Sequence, residues 1–233
     1  MTSKVIVALD LEKEIALDLV SRFNPDLCKL KVGSELFTSS GPKIVSDLTS
    51  KGFEVFLDLK FHDIPNTVTA AVREASQLGA WMINVHASGG ERMMLSAREE
   101  LDKINSKTLL IAVTVLTSIS KIEGINIGIN DINDHVSNLA SLAKNSGLHG
   151  VVCSPKEVRR IKELCGDDFI TVTPGIRPSN SEDDQSRVST PKEAILKGSD
   201  FLVIGRPITG SSNPLESLEA INSDINSIAE IRS

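Results

Sequence analysis

The sequence predicts an α/β fold of the (β/α)8, or TIM-barrel, class, as a single domain over residues 1–233. Two observations carry this expectation. Short runs rich in Val, Ile and Leu recur eight times with amphipathic stretches between them. They are apolar throughout instead of alternating, as strands buried on both faces are, so the sheet should be mostly parallel. The length also lies near the ~250 residues typical of such barrels. The rival, an open doubly wound sheet, loses ground because no GxGxxG follows the first run.

The elements follow in order. The expected strands are residues 5–9, 27–32, 53–59, 81–86, 108–115, 150–153, 169–173 and 201–204. A helix over 12–23 places Ile15, Leu19 and Val20 on one face and breaks at Asn24-Pro25. The next, 42–50, ends at Lys51-Gly52, a basic last turn followed by a C-terminal glycine. Further helices are expected over 67–78, 91–104, 134–146, 155–164, 191–197 and 214–231. Five of the eight stop at a glycine leading into the next strand: Gly52, Gly79, Gly147, Gly166 and Gly198. No linker or low-complexity stretch divides the chain, and the αβ unit is its only repeat.

Composition narrows the function classes. A net charge of −6 argues against a general nucleic-acid binder, yet one local basic cluster is enough to hold a small anion. Cys28, Cys153 and Cys165 form an odd set without a CxxC pair, which suits a reducing compartment better than a disulfide framework or a zinc site. The apolar run after Met1-Thr2-Ser3-Lys4 stops at Asp10, too soon for a signal peptide. No run approaches the roughly 20 apolar residues of a spanning helix. A cytoplasmic protein without membrane or nucleic-acid partners is expected.

Barrel enzymes build their sites at the C-terminal ends of the strands. There the sequence offers Asp10 after strand one, Lys29 and Lys31 on strand two, Asp58 and Lys60 on strand three, and His86 on strand four. Strand five runs into Thr114 and Thr117. Any one of these could be a solvated strand end. Together they would crowd charges of both signs into one barrel mouth, which is costly unless they pair. Asp58 and Lys60 are two apart and so share a strand face, as do Lys29 and Lys31. Lys31 is nearer the strand end and is followed by Gly33, so it is the expected site residue and Lys29 the structural one.

Strands seven and eight supply an expected anion site. Pro174-Gly175-Ile176-Arg177 follows the seventh, and Gly205-Arg206-Pro207 the eighth. Gly205 lets the backbone approach a ligand, and Pro207 suits the first turn of a short helix. Backbone N–H groups and the Arg206 guanidinium could then share one phosphate. The polar stretch 177–187 beside it reads as a lid.

The decisive segment is Asp58-Leu59-Lys60-Phe61-His62-Asp63-Ile64-Pro65-Asn66-Thr67. Its Asp-x-Lys-x-x-Asp core, continued as Ile-Pro-Asn-Thr, resembles the signature of orotidine 5′-monophosphate decarboxylases of the bacterial type. Val7-Ala8-Leu9-Asp10, Lys31-Val32-Gly33, Asn84-Val85-His86, Thr114-Val115-Leu116-Thr117-Ser118, Thr173-Pro174-Gly175-Ile176-Arg177, Asp184-Gln185 and Gly205-Arg206-Pro207 match the family in the same order. The resemblance runs from about Lys4 to Ile208. One departure is that Arg177 and Gln185 stand one residue closer than in the family pattern, a deletion a loop tolerates.

The resemblance implies a homodimer with shared active sites, acting on orotidine 5′-monophosphate without metal or organic cofactor. Lys31, Asp58, Lys60 and Asp63 would form an alternating charged array, with Asp63 and Thr67 reaching into the neighbouring subunit's site. Asp10 and Lys31 would hold ribose hydroxyls, and Thr117 the pyrimidine. Gln185 and Arg206 would grip the phosphate, helped by Arg177 and the Gly205 backbone, with Pro174 alongside. Loss of CO2 from C6 leaves a carbanion in the ring plane, beyond the reach of the π system. A fixed Lys60 ammonium can stabilise that charge and then protonate it. Asp58 would lie near the substrate carboxylate, repelling it or orienting Lys60.

The nearest enzymatic rival is a magnesium-dependent decarboxylase of 3-keto-gulonate 6-phosphate, which shares Asp-x-Lys-x-x-Asp. The Ile64-to-Thr67 continuation and the long loop before Gln185 argue against it. A phosphate-binding barrel without catalysis is a rival of another class, and the intact Asp58, Lys60 and Asp63 argue against that. His62, His86, His135 and His149 lack metal-ligand spacing and are read as packing or hydrogen-bonding residues. Cys153 is read as a buried thiol. Met93, Met94, Leu95 and Ala97 would face the core or a dimer contact.

Overall fold

The computed structural model describes residues 3–178 and 189–232. Eight parallel strands close into a barrel in chain order: β1 (Val5–Ala8), β2 (Lys29–Gly33), β3 (Val55–Phe61), β4 (Met82–His86), β5 (Leu109–Val113), β6 (Gly150–Val152), β7 (Ile170–Thr173) and β8 (Phe201–Ile204). β8 returns to β1 with Val5 beside Leu202 and Val7 beside Ile204, which closes the ring.

The apolar strand runs are explained by two buried faces. Ile6, Ala8, Phe56, Met82, Ile111, Val172 and Val203 pack inside the barrel. Their neighbours Val5, Val7, Leu30, Val55, Leu57, Ile83 and Leu202 point outward beneath the helices. Successive residues thus enter different cores, so neither face needs polar residues.

The outer layer contains α1 (Lys13–Ser21), α2 (Ser34–Ser40), α3 (Lys43–Thr49), α4 (Pro65–Gln77), α5 (Glu91–Lys103), α6 (Lys121–Asn126), α7 (Ile132–Asn145), α8 (Val158–Cys165), α9 (Pro191–Leu196), α10 (Arg206–Thr209) and α11 (Pro214–Arg232). The five glycines expected to stop helices all have left-handed φ, between 76° and 102°. A side chain there would be strained, so each turns the chain sharply toward the next strand.

The structure shifts several expected boundaries. α4 starts two residues early because Pro65 takes the first helical position, where its missing N–H costs nothing. α8 starts late because the Glu157 carboxylate accepts the Ser154 N–H at 2.8 Å and holds 154–157 as a turn. β3 continues beyond residue 59 to Phe61 through an irregularity described below. Two helices were not expected. α2 follows directly on Gly33, and α6 begins at a reciprocal cap between Ser120 and Glu123. Met93, Met94 and Ala97 are buried in the core, whereas Leu95 is exposed. No helix among the described residues is long and apolar enough to cross a membrane.

Candidate active site

At the C-terminal mouth of the barrel lies a cavity of about 470 Å3. Asp10, Lys31, Asp58 and Lys60 line one side of it. Pro174, Arg177, Gly205 and Arg206 contribute from the β7 and β8 ends, and Thr117 from the loop after β5. Phe56, Val113, Val152 and Val203 form apolar lining, and Leu116 and Thr209 complete the rim. A mostly apolar floor with a few convergent charges is what small-molecule sites generally offer.

The charges form one chain of alternating sign. Lys31 Nζ stands 2.8 Å from Asp10 Oδ1 and 3.3 Å from Asp58 Oδ2. Lys60 Nζ stands 2.8 Å from Asp58 Oδ1. Lys31 and Asp58 are buried, so each would be costly alone, by several kcal/mol per ion. Burial pulls the Lys31 ammonium down, but Asp58 and Asp10 outweigh it and hold its pKa above the usual lysine value. Gly33 makes room for this pair: a Cβ there would lie 2.9 Å from Lys31 Nζ and 3.0 Å from Asp10 Oδ1.

Lys60 adopts φ 54°, which is unusual for a residue with a side chain. Leu57 pairs with Ile83 and Phe61 with Val85, so residues 58–60 of β3 lie against Asn84 alone on β4. This is a β-bulge, which redirects the strand at its end. The Lys60 N–H donates to Asn84 Oδ1 at 2.8 Å, and Asn84 Nδ2 donates to Asp58 Oδ1 at 2.6 Å.

The remaining residues fall less simply. Asp63 and Thr67 are exposed and do not line this cavity; the Asp63 carboxylate accepts the Ile64 N–H at 2.6 Å. Gln185, and with it most of the expected lid, lies outside the described residues. The Arg177 N–H donates to the Ser189 carbonyl at 3.0 Å, and its guanidinium to the Ile176 carbonyl at 3.0 Å. Thr114 is turned away: its hydroxyl donates to the Val152 carbonyl at 2.9 Å. Lys29 points into the opposite end of the barrel, 2.6 Å from Glu54 Oε2 and 5.0 Å from the Trp81 ring centroid.

Three of the four histidines, His149, His86 and His62, make packing or hydrogen-bonding contacts. His149 Nδ1 accepts the Leu110 N–H at 2.9 Å, and the His86 and His62 rings stand 5.4 Å apart. Burial, then His62 and Lys60, hold the His86 pKa below the usual imidazole value. Burial pushes the Cys153 thiol far up and the Cys28 thiol to about 12, so neither is a ready nucleophile. Among the described residues, no three His, Cys, Asp or Glu side chains gather where they could hold a metal ion.

Sequence reasoning missed Asn84 and Thr209 as individual residues. The signal for Asn84 was present, as a lone amide flanked by Met82, Ile83 and Val85 inside a strand.

The chain is similar to known proteins along nearly its whole length. A model of the family described as orotidine 5′-phosphate decarboxylase / HUMPS matches residues 3–221. The orotidine 5′-phosphate decarboxylase of Legionella pneumophila (strain Paris) is 57% identical over 229 residues, covering 97% of this chain and 100% of that one. That of Haemophilus influenzae (strain Rd) is 55% identical over the same shares. A crystal structure of the Lactobacillus acidophilus orotidine 5′-phosphate decarboxylase superposes with a TM-score of 0.84 at 41% identity, over 95% of this chain and 98% of that one. A conserved, uncharacterised protein of Geobacillus kaustophilus superposes with a TM-score of 0.82 at 39% identity, over 95% of this chain and all of that one. With its charged barrel mouth and a match along nearly its whole length, the chain belongs to the orotidine 5′-phosphate decarboxylase / HUMPS family.

Proposed function

We propose that this chain decarboxylates orotidine 5′-monophosphate to UMP and CO2, the last step of pyrimidine nucleotide synthesis, in the cytoplasm and without metal or organic cofactor. The observation that carries the reading is the Asp10–Lys31–Asp58–Lys60 chain, which shares one cavity with Arg206.

The phosphate binds at Arg206 and Gly205, with Arg177 and Gln185 assisting. The ribose hydroxyls meet Asp10 and Lys31. The pyrimidine then lies over the apolar floor beside Thr117 and Pro174, with C6 toward Lys60. The bond from C6 to the carboxylate carbon breaks, and its electron pair stays on C6 as CO2 leaves. The ammonium of Lys60 stabilises that pair electrostatically, then gives it a proton, and water restores the proton to Lys60. The field of Asp58 opposes the substrate carboxylate and disappears as a cost once CO2 is neutral. Lys31 holds Asp58 from its other oxygen. Phosphate binding, remote from C6, supplies energy that organises the site.

The active form is a homodimer in which Asp63 and Thr67 enter the partner's site. Their exposure outside their own cavity supports this, as does the neighbouring Ile64, which is 66% exposed.

The test is a spectrophotometric decarboxylation assay with and without EDTA, on the wild type and on Lys60→Ala. Turnover should survive EDTA and all but vanish in Lys60→Ala. Loss of turnover with EDTA would favour the magnesium-dependent sugar-phosphate reaction, and near-normal turnover by folded Lys60→Ala would sink the mechanism.

A further inference from the structure

Asn84 is 0% exposed and stands where β3 and β4 lose register. Its amide orientation is fixed by its partners. A backbone N–H can only donate, so the atom facing Lys60 N is oxygen. An ionised carboxylate can only accept, so the atom facing Asp58 is nitrogen. One side chain therefore reaches both charged residues of β3, one through its backbone and the other through its carboxylate.

Both contacts bear on Lys60. The left-handed backbone at residue 60 is unfavourable for a residue with a Cβ and persists only if its surroundings hold it. The bond from the Lys60 N–H to Asn84 is such a hold. The bond from Asn84 to Asp58 ends on Oδ1, the oxygen that meets Lys60 Nζ, while Lys31 occupies Oδ2. The carboxylate is thus pinned from both sides, which leaves Oδ1 aimed at the ammonium.

We propose that Asn84 is a positioning residue for decarboxylation: by holding the Lys60 backbone in the bulge and aiming the Asp58 carboxylate, it sets the Lys60 ammonium in place before substrate arrives. The proposal rests on Lys60 as the group that stabilises and protonates C6. A purely structural amide would alter stability, or all site properties together. A positioning amide affects turnover and spares the phosphate grip, which lies across the cavity.

The test compares kcat with UMP affinity, measured by calorimetry, in Asn84→Ala, Asn84→Ser and Asn84→Asp. Misplacing a reacting group by about 1 Å costs on the order of 100-fold. Asn84→Ala should therefore lose about that much in kcat while UMP affinity is retained. Asn84→Ser, whose hydroxyl can restore one hydrogen bond, should recover part of the loss. Asn84→Asp keeps an acceptor for the Lys60 N–H but puts a second carboxylate against Asp58, and should be no better than Asn84→Ala. Should Asn84→Ala fail to fold, the serine variant is read by the same two quantities. Wild-type kcat in a folded alanine or serine variant overturns the proposal, and so does a parallel loss of kcat and UMP affinity. Lys60→Ala is assayed alongside: if it retains turnover, the role given to Lys60 fails, whereas an inactive Lys60→Ala beside fully active Asn84 variants refutes the positioning role alone.

Discussion

Mixing two inactive variants, Lys60→Ala and Asp63→Ala, should restore decarboxylation if each site is built from two chains. Lys60 lines its own cavity, whereas Asp63 is exposed and outside it, with its carboxylate on the Ile64 N–H. They stand only three positions apart in the chain, so a local site would have had no difficulty including both. In a closed two-fold dimer the same patch is used twice, which gives two equivalent composite sites. Each mixed dimer then collects both mutations in one site and leaves the other wild type. Random exchange of equal amounts makes about half the dimers mixed, so roughly a quarter of all sites should recover. The assay is UMP formation after mixing, with subunit exchange established independently by mass spectrometry of tagged chains. If exchange is complete and activity stays at the level of the parents, each chain carries its own whole site and the shared-site reading is wrong.

Three further outcomes are expected. Arg206→Ala should weaken binding of orotidine phosphate and UMP by roughly 2–5 kcal/mol, because the charge pair is desolvated on binding; equal losses for nucleotide and nucleoside would place Arg206 away from the phosphate. Gly33→Ala should displace the Lys31–Asp10 pair and raise KM with little loss of stability, because the added methyl meets only the ends of two flexible side chains; an unchanged KM in a folded variant would refute the close-approach argument. His86 has a depressed folded-state pKa, so below the usual value of about 6.5 the unfolded chain takes up its proton first. Stability should therefore fall as pH drops through that value toward the folded pKa. His86→Gln should flatten part of the fall in urea titrations, leaving the share from His149, which shifts the same way; an unaltered pH dependence would contradict this assignment.

What could be read in the chain, and what could not, follows the range of the interactions. The strands were legible because burial on both faces leaves an uninterrupted apolar run, and helix ends because Gly52, Gly79, Gly147, Gly166 and Gly198 each supply a left-handed residue. Helix α6 was legible in principle through Ser120 and Glu123, which cap it reciprocally. The bulge at Lys60 was not. A lysine gives no local sign of positive φ; the conformation is supported by an amide 24 positions away on the next strand. The expected residues brought to the cavity come from strand ends or just after them, where sequence order and barrel position coincide. Asp63 and Thr67 stand outside it; under the proposed dimer, the surface they serve would belong to another chain.

Lys29 and Lys31 show how far position along one strand decides role. Both are buried, both face the barrel interior, and both meet a carboxylate. At the N-terminal end, Lys29 lies between the Trp81 and Phe201 rings, 5.0 and 5.6 Å from their centroids, and its partner Glu54 is half exposed to water. At the C-terminal end, Lys31 joins Asp10 to the buried Asp58 beside the cavity. Lys29→Met keeps the packing of the stem and leaves Glu54 hydrated, so it should cost about 1 kcal/mol or less, by analogy with exposed ion pairs, with kcat unchanged. Lys31→Met leaves Asp58 buried with one cation fewer and should cost up to about 3–5 kcal/mol if the remaining contacts to Lys60 and Asn84 do not compensate, together with most of the turnover. Urea unfolding and a turnover assay on the two variants read both quantities. A Lys29→Met protein that is stable but inactive would show that the floor of the barrel acts on the chemistry at its mouth, and the division of labour along β2 would have to be abandoned.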